Sequence, residues 1–567
     1  MTEAPEDRRI PSAFVARASW IVFSFALFLR LIGIGWGLPD DLHHFSYHPD
    51  ETVNVLVAQQ IEPAKLDFDP DFYNYGTVYL TVLSVGSSLA GALMGSGTED
   101  PTAVYGFLGK SILMGRLASS LAGAGSVVVV FLLLRRWVRI RFAFAGALLL
   151  AVAPAHVVHS RFATVDILAA LFVALCLHFS LKLLRAPSEP ERDEIFNRKQ
   201  VLLAALFAGM AAGTKYNAGL VVLAILAAIW LAKPKRPAML TAQVIGVAAV
   251  AFALSTPGVL TNSEAFWRDF SYELSHSREG HGLVFVGRGP GFLYHLLNLA
   301  VGFGLIASLF GAVGLVTPRP EYRRVAWIVL AFAAPYYVLM GGSNVMFLRY
   351  TFPLMAVLSV GAGLLLDRWK DAPRANAAAV AIWFLAFAGI DGTGLMQAAR
   401  TSVWMNGPDP RDTTARLLIE NMKKEPGTTV GLASDPWYYT PPLEPSVGMP
   451  RPAFLRSGAE YMAGLAQQGI FRYAPADFSQ RIDFDDRLLS EMNPTYVVFS
   501  SFEASDLDRL SRQRELPETF RGQVEQYRRF MDQLKEGYEP FVAVGGGVPQ
   551  VHDLEYIRPT IWVWKRK

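Results

Sequence analysis

Residues 112–141, ILMGRLASSLAGAGSVVVVFLLLRRWVRIR, join an apolar run to four arginines, Arg135, Arg136, Arg139 and Arg141. A hydrocarbon core about 30 Å thick needs roughly 20 apolar residues in a helix. Basic residues just beyond such a span mark its cytoplasmic end. The stretch therefore predicts both a membrane helix and its direction, with one cation, Arg116, at its start.

Working outward, similar runs lie at 16–38, 142–158, 167–184, 201–213, 218–232, 239–256, 292–316, 325–340, 350–366 and 377–396. With 112–134 they predict a mainly α polytopic membrane protein of about eleven transmembrane helices. The first run is too long for a signal-peptide core and has no convincing cleavage site after it, so it should stay in the membrane. The 567 residues are 52% hydrophobic and only 18% charged. Soluble proteins average about 25% charged, so this composition excludes a disordered or nucleic-acid-binding protein. One cysteine, Cys176, excludes a disulfide framework and a cysteine-ligated zinc site.

The texture changes after residue 397. Short β-rich pieces at 429–433, 496–500, 541–544 and 560–564 alternate with charged helical stretches such as 411–424. The expected division is a membrane domain, 1–397, and a soluble α/β domain, 398–567.

Residues 77–94 are apolar but rich in Gly and Ser, and charge decides their reading. If they do not cross, Arg135 to Arg141 share a side with Arg8, Arg9 and Arg17. Arg185, Arg192, Arg198 and Lys199 join them, as do Lys233, Lys235 and Arg236, then Arg319, Arg323 and Arg324, then Arg368, Lys370 and Arg374. Every basic loop is then cytoplasmic, whereas a crossing would break the positive-inside rule at five loops. The segment is thus expected to be juxtamembrane or re-entrant, with the N-terminus cytoplasmic and the C-terminal domain outside.

The non-basic loops then form one outer face. They carry Tyr47-His48-Pro49-Asp50-Glu51, the segment Ser160-Arg161-Phe162-Ala163-Thr164-Val165-Asp166, and Thr214-Lys215-Tyr216-Asn217. They also carry Glu273, His276, Arg278, Glu279 and His281, and finally Arg349-Tyr350. Cations at a lipid boundary suit a phosphate, and a carboxylate beside them suits a general base.

In this order the residues resemble the GT-C integral-membrane glycosyltransferases, in the branch of the protein O-mannosyltransferases and the lipid A aminoarabinose transferases. The resemblance covers about the first 400 residues. It implies inverting transfer of one sugar from a polyprenyl-phosphate carrier to an outer acceptor of unspecified kind. Asp50 would deprotonate the acceptor and Glu51 would position it or the sugar, while Arg116, Lys215 and Arg349 would neutralise the lipid phosphate. The chain has Tyr73-Asn74-Tyr75-Gly76 where a mannosyltransferase would carry a His-Pro-Pro-Leu-like segment. It also lacks the Trp-Trp-Asp-Tyr-Gly segment of oligosaccharyltransferases.

Plainer readings stand beside these. Asp50 and Glu51 after Pro49 also suit a helix N-terminus. Arg116, Lys215 and Arg349 also suit snorkelling anchors, and Arg161 and Asp166 read as a pair across a helix start. His48, His276 and His281 with Glu51 have the ligand types for a divalent metal, although their spacing is not diagnostic. His178 and Cys176 read as core residues, and residues 438–442 as a Pro-rich turn or an aromatic acceptor platform. A flippase for a lipid-linked sugar and a non-catalytic scaffold are the competing functions. The first would line a path through the bilayer; the second leaves Asp50 and Glu51 without a task.

Overall fold

The computed structural model describes residues 11–94, 101–185, 198–445, 447, 467–471, 483–513, 516–549 and 551–567. Arg8, Arg9 and Arg192 of the predicted charge pattern lie outside them. The helical part opens with α1 (Ser12–Leu31), α2 (Pro49–Ala58), α3 (Val78–Met94), α4 (Pro101–Leu134), α5 (Ile140–Ala151), α6 (Pro154–His159) and α7 (Asp166–Leu181). It continues through α8 (Arg198–Ala212), α9 (Val222–Ala232), α10 (Pro237–Ser255), α11 (Gly258–Thr261), α12 (Ser263–Glu279), α13 (Gly291–Leu299) and α14 (Leu305–Val316). It closes with α15 (Arg323–Gly341), α16 (Phe352–Arg368), α17 (Pro373–Ala388) and α18 (Gly394–Trp404).

Each predicted apolar run falls on helix. Among the described residues, 6 helices are long and apolar enough to cross a membrane, and shorter apolar helices of 10–17 residues accompany them. The shortening has local causes. Pro154 lacks the N–H that would continue α5, so the predicted run at 142–158 breaks into α5 and α6. The run at 377–396 stops at Ala388, because Gly389 takes φ 88° and caps α17 through its N–H on the Leu385 carbonyl at 3.0 Å. α1 likewise ends at Leu31, seven residues before the predicted end at residue 38, in turns that include Gly33 and Gly37 at positive φ.

The 34 residues of α4 extend about 51 Å at 1.5 Å per residue, well beyond one bilayer core. α3 packs against the first half of α4, where Tyr79 donates to the Gly115 carbonyl at 2.9 Å and Gly86 and Gly91 face Met114 and Phe107, and it also packs against α2. α16 is apolar on all sides and buried along nearly its whole length, which makes it the axis of the bundle. Gly311 and Gly314 on α14 meet Gly361 on α16 backbone to backbone, a close approach that only small residues permit. On the periphery, Ile245, Val250 and Leu254 of α10, Trp20 and Phe28 of α1, and Val380 and Phe384 of α17 are exposed. Such an apolar belt is what a lipid-facing surface requires.

Beyond α18 come α19 (Pro410–Lys424), α20 (Ser501–Ser511), α21 (Glu518–Gly537) and α22 (His552–Glu555). Between and after them run β1 (Val430–Leu432), β2 (Ile470–Phe471), β3 (Tyr496–Ser500), β4 (Tyr538–Val544) and β5 (Ile561–Arg566). The strands form one mixed sheet in the order β2-β1-β3-β5-β4. β1 pairs parallel with β2 and β3, while β5 runs antiparallel to β3 and β4, with Val497 opposite Trp564. β4 lies at the edge, where Pro540, which has no N–H to donate, sits beside a register shift. The predicted β pieces are β1, β3, β4 and β5; two-residue β2 went unpredicted.

The sheet region is anchored to the bundle. The predicted boundary between residues 397 and 398 falls inside α18. Tyr438, Tyr439, Val551, Leu554, Tyr556 and Ile557 belong to the same apolar cluster as the membrane helices. The fully buried Arg411 pairs with Asp409 at 2.8 Å, donates to the Tyr438 and Tyr556 carbonyls at 2.8 and 3.1 Å, and lies 3.7 Å from the Tyr47 ring.

Candidate active site

α2 carries the acidic pair. Pro49 at its first turn needs no N–H there, and His48 caps it by accepting the Asp50 N–H on Nδ1 at 3.2 Å. With Nδ1 an acceptor, Nε2 carries the proton and faces the Tyr556 hydroxyl at 3.2 Å. Burial pushes the His48 imidazole below its usual range, outweighing the pull of Asp50 and Glu51, so this neutral form persists.

Neighbours on a helix point about 100° apart, and Asp50 and Glu51 therefore diverge. Glu51 is fully buried. Its Oε1 accepts from Arg116 Nε at 2.8 Å and from the Ala163 N–H at 2.7 Å; its Oε2 accepts from Arg116 Nη2 at 2.6 Å and from Ser46 Oγ at 2.5 Å. Burial alone would raise this carboxyl, but the Arg116 guanidinium and these donors hold it below the usual range. Arg116 spends its remaining donor, Nη1, on the Ile34 and Trp36 carbonyls at 2.7 and 2.6 Å. Neither side chain reaches the cavity beside Asp50, because each satisfies the other inside the protein.

That cavity measures about 1080 Å³, at the upper end of ligand pockets. One wall is apolar, from Leu220, Val222 and Leu223 at the head of α9 and Leu339 and Met340 at the end of α15. The polar part of the lining is Asp50, Asn54, Tyr75, Asp166, Lys215 and Arg349. Lys215 Nζ lies 2.5 Å from Asp166 Oδ1 and 4.3 Å from the Tyr350 ring centre. Arg349 Nη1 stands 3.4 Å from Asp50 Oδ2 and 3.4 Å from Asp553 Oδ1. The Asp50 side chain is 40% exposed, whereas that of Asp553 is 1% exposed. Burial pushes the Asp553 carboxyl up to about 6 against the pull of Arg349.

The other predicted residues divide between the cavity and the interior. Arg161 does not pair with Asp166. It turns inward, giving Nη2 to the Leu29 carbonyl at 2.7 Å and to Ser402 Oγ at 2.5 Å, while Asp166 faces Lys215. An arginine buried at the C-terminal end of α1 thus serves an unsatisfied carbonyl of that helix rather than a carboxylate. His276 and His281 line the cavity, 3.2 Å apart between Nε2 and Nδ1, and burial lowers His281 to about 4. The proposed metal set does not assemble: Glu51 is committed to Arg116 and His48 to the helix cap. Among the described residues no group of three or more His, Cys, Asp or Glu could hold a metal ion.

Sequence reasoning missed Asp553, His552 and Tyr556. His552 and Tyr556 line the cavity from α22 and the turn after it, and Asp553 reaches Arg349 from the same segment. Its only sequence signal is a short acidic run, His552 to Glu555, between two β pieces.

A family model described as dolichyl-phosphate-mannose-protein mannosyltransferase matches residues 102–260. No curated protein matches the chain by sequence. ArnT from Cupriavidus metallidurans in the apo state is similar over 97% of this chain and 98% of its own, with a TM-score of 0.50 and 16% identity. AglB, an archaeal oligosaccharyltransferase from Archaeoglobus fulgidus, is similar over 94% of this chain and 74% of its own, with a TM-score of 0.50 and 14% identity. AglB was solved in complex with an inhibitory peptide and a dolichol-phosphate. The chain shares its fold with ArnT and AglB.

Proposed function

We propose that the chain transfers one sugar, with inversion, from a polyprenyl-phosphate carrier to an acceptor hydroxyl or amine at the outer membrane face. One observation carries this reading: a partly exposed carboxylate, Asp50, and two cations, Lys215 and Arg349, share a cavity with an apolar wall. Asp50 takes the acceptor's proton, the acceptor atom attacks the anomeric carbon, and the bond from that carbon to the phosphate oxygen breaks. The leaving lipid phosphate takes the electron pair, and Lys215 and Arg349 meet its charge. Fixed charges at developing charge are usually the largest catalytic term. The prenyl tail lies along Leu223 and Leu339. The dolichol-phosphate bound by AglB, a protein of the same fold, and the mannosyltransferase model over residues 102–260 support a lipid-phosphate donor. Glu51 and Arg116 are assigned to holding α2 in place rather than to the sugar and the phosphate.

The purified protein should release labelled sugar from a polyprenyl-phosphate monosaccharide onto a cell-envelope acceptor extract. Lys215→Met should lower kcat/KM about a hundredfold, at the low end of the loss for one charge-stabilising contact. Transfer that is indifferent to this change would remove Lys215 from the site.

The division into a membrane part, 1–397, and an extracytoplasmic part, 398–567, belongs to the same reading. So do about eleven spans, a cytoplasmic N-terminus and an inner-membrane location. The seating of α3 against the first half of the overlong α4 supports leaving α3 out of that count. Cys176 is buried, so introduced thiols can be read singly. Leu66→Cys and Lys235→Cys, both at exposed positions, should react with an impermeant reagent only from opposite faces of a sealed membrane. Labelling from one face would overturn the topology.

A further inference from the structure

We infer that Asp553, delivered by the C-terminal segment, is a positioning residue for sugar transfer that divides Arg349 between itself and Asp50; this rests on the function proposed above. Arg349 stands at equal distance, 3.4 Å, from both carboxylates. Their settings differ. Asp50 lines the cavity and is 40% exposed at its side chain. Asp553 is buried, its Oδ2 accepts the Leu348 N–H at 2.6 Å, and among the described residues its Oδ1 has no hydrogen-bond donor and the Arg349 guanidinium is its ion partner. A carboxylate fixed in that way holds the guanidinium when Asp50 turns to the acceptor. Three residues on, the Tyr556 hydroxyl meets His48, the cap of the helix that bears Asp50. One short segment therefore reaches both the base and the cation opposite it.

The roles separate by sign. Without the Asp553 charge, Arg349 closes on Asp50 and masks the base, so turnover falls. One negative charge fewer beside the phosphate site also strengthens binding of the anionic lipid. Asp553→Asn keeps a carbonyl oxygen for the Leu348 N–H and changes only the charge. It should lower kcat about tenfold and tighten binding of undecaprenyl phosphate about threefold or more. Asp553→Glu, which restores the charge, should recover wild-type phosphate affinity within about twofold and part of kcat. A purely structural residue would lower turnover and binding in step, and that result, or no change in either, overturns the inference. Should Asp553→Asn fail to accumulate, Asp553→Glu carries the test, because its longer arm displaces Arg349. Reduced kcat with phosphate affinity retained supports the assignment; full wild-type kcat overturns it. Wild-type protein that moves no sugar from any polyprenyl-phosphate donor would overturn the proposed function itself. Undecaprenyl phosphate binding would then still decide the place of Asp553.

Discussion

Asp50→Asn is expected to lower sugar transfer about a thousandfold and to leave the fold intact, as loss of a positioned general base commonly does. The amide matches the carboxylate in shape and still offers Arg349 an oxygen, so the ion pair weakens without a steric change. Its side chain is 40% exposed, and partly exposed positions tolerate such a change. The loss should appear in kcat at saturating donor and acceptor, with an unchanged melting temperature. The neighbouring carboxylates are poor substitutes, since Asp166 is held by Lys215 and Glu273 accepts from Asn74 at 2.7 Å. An Asn variant that is folded and fully active would show that the base lies elsewhere.

Arg116→Leu is expected to act in the opposite way, on stability rather than chemistry. The substitution leaves Glu51 charged and buried and removes the donor to the Ile34 and Trp36 carbonyls. Breaking a buried pair from one side costs about 3–5 kcal/mol, a large part of the stability of any single unit. The variant should accumulate poorly and melt earlier, and any surviving fraction should bind donor normally. A phosphate ligand would behave conversely, with a raised donor KM and an unchanged melting temperature. The acid response gives a further check. Because the folded Glu51 carboxyl lies below its usual range, its contribution is complete above the unfolded carboxylate range and is lost as pH falls through the folded value. Arg116→Leu should blunt that acid sensitivity.

Much of the architecture was legible because membrane insertion writes itself locally. Apolar runs and the arginines after them need no knowledge of tertiary contacts, and each run falls on helix, although three of these helices break or stop short of the predicted ends. The charged helix at 411–424 and four of the five strands among the described residues were legible from local pattern too. The site was legible only to the level of residue type. Asp50 and Glu51 are adjacent letters, and nothing local tells which one faces the cavity. That depends on Ser46, Arg116 and the Ala163 N–H, which arrive from three other places in the chain. Arg161 and Asp166 looked like a pair because they are close in sequence, but Leu29, Ser402 and Lys215 are closer in space. Asp553 lies more than 500 residues from Asp50, and only the folded chain brings them to one guanidinium.

The Arg411 clamp and the contacts of Tyr556 and Asp553 set an order of events during synthesis. Ribosomes add residues at roughly 5–20 per second, so the membrane helices can be in place many seconds before residue 556 emerges. Until then the guanidinium of Arg349 lacks one of its two counter-ions, and the His48 cap lacks its hydroxyl partner. On the proposed reading, a half-made chain in the membrane can hold a lipid phosphate but is poorly set to use it. Sugar transfer then waits until residue 556 has emerged and docked against the bundle.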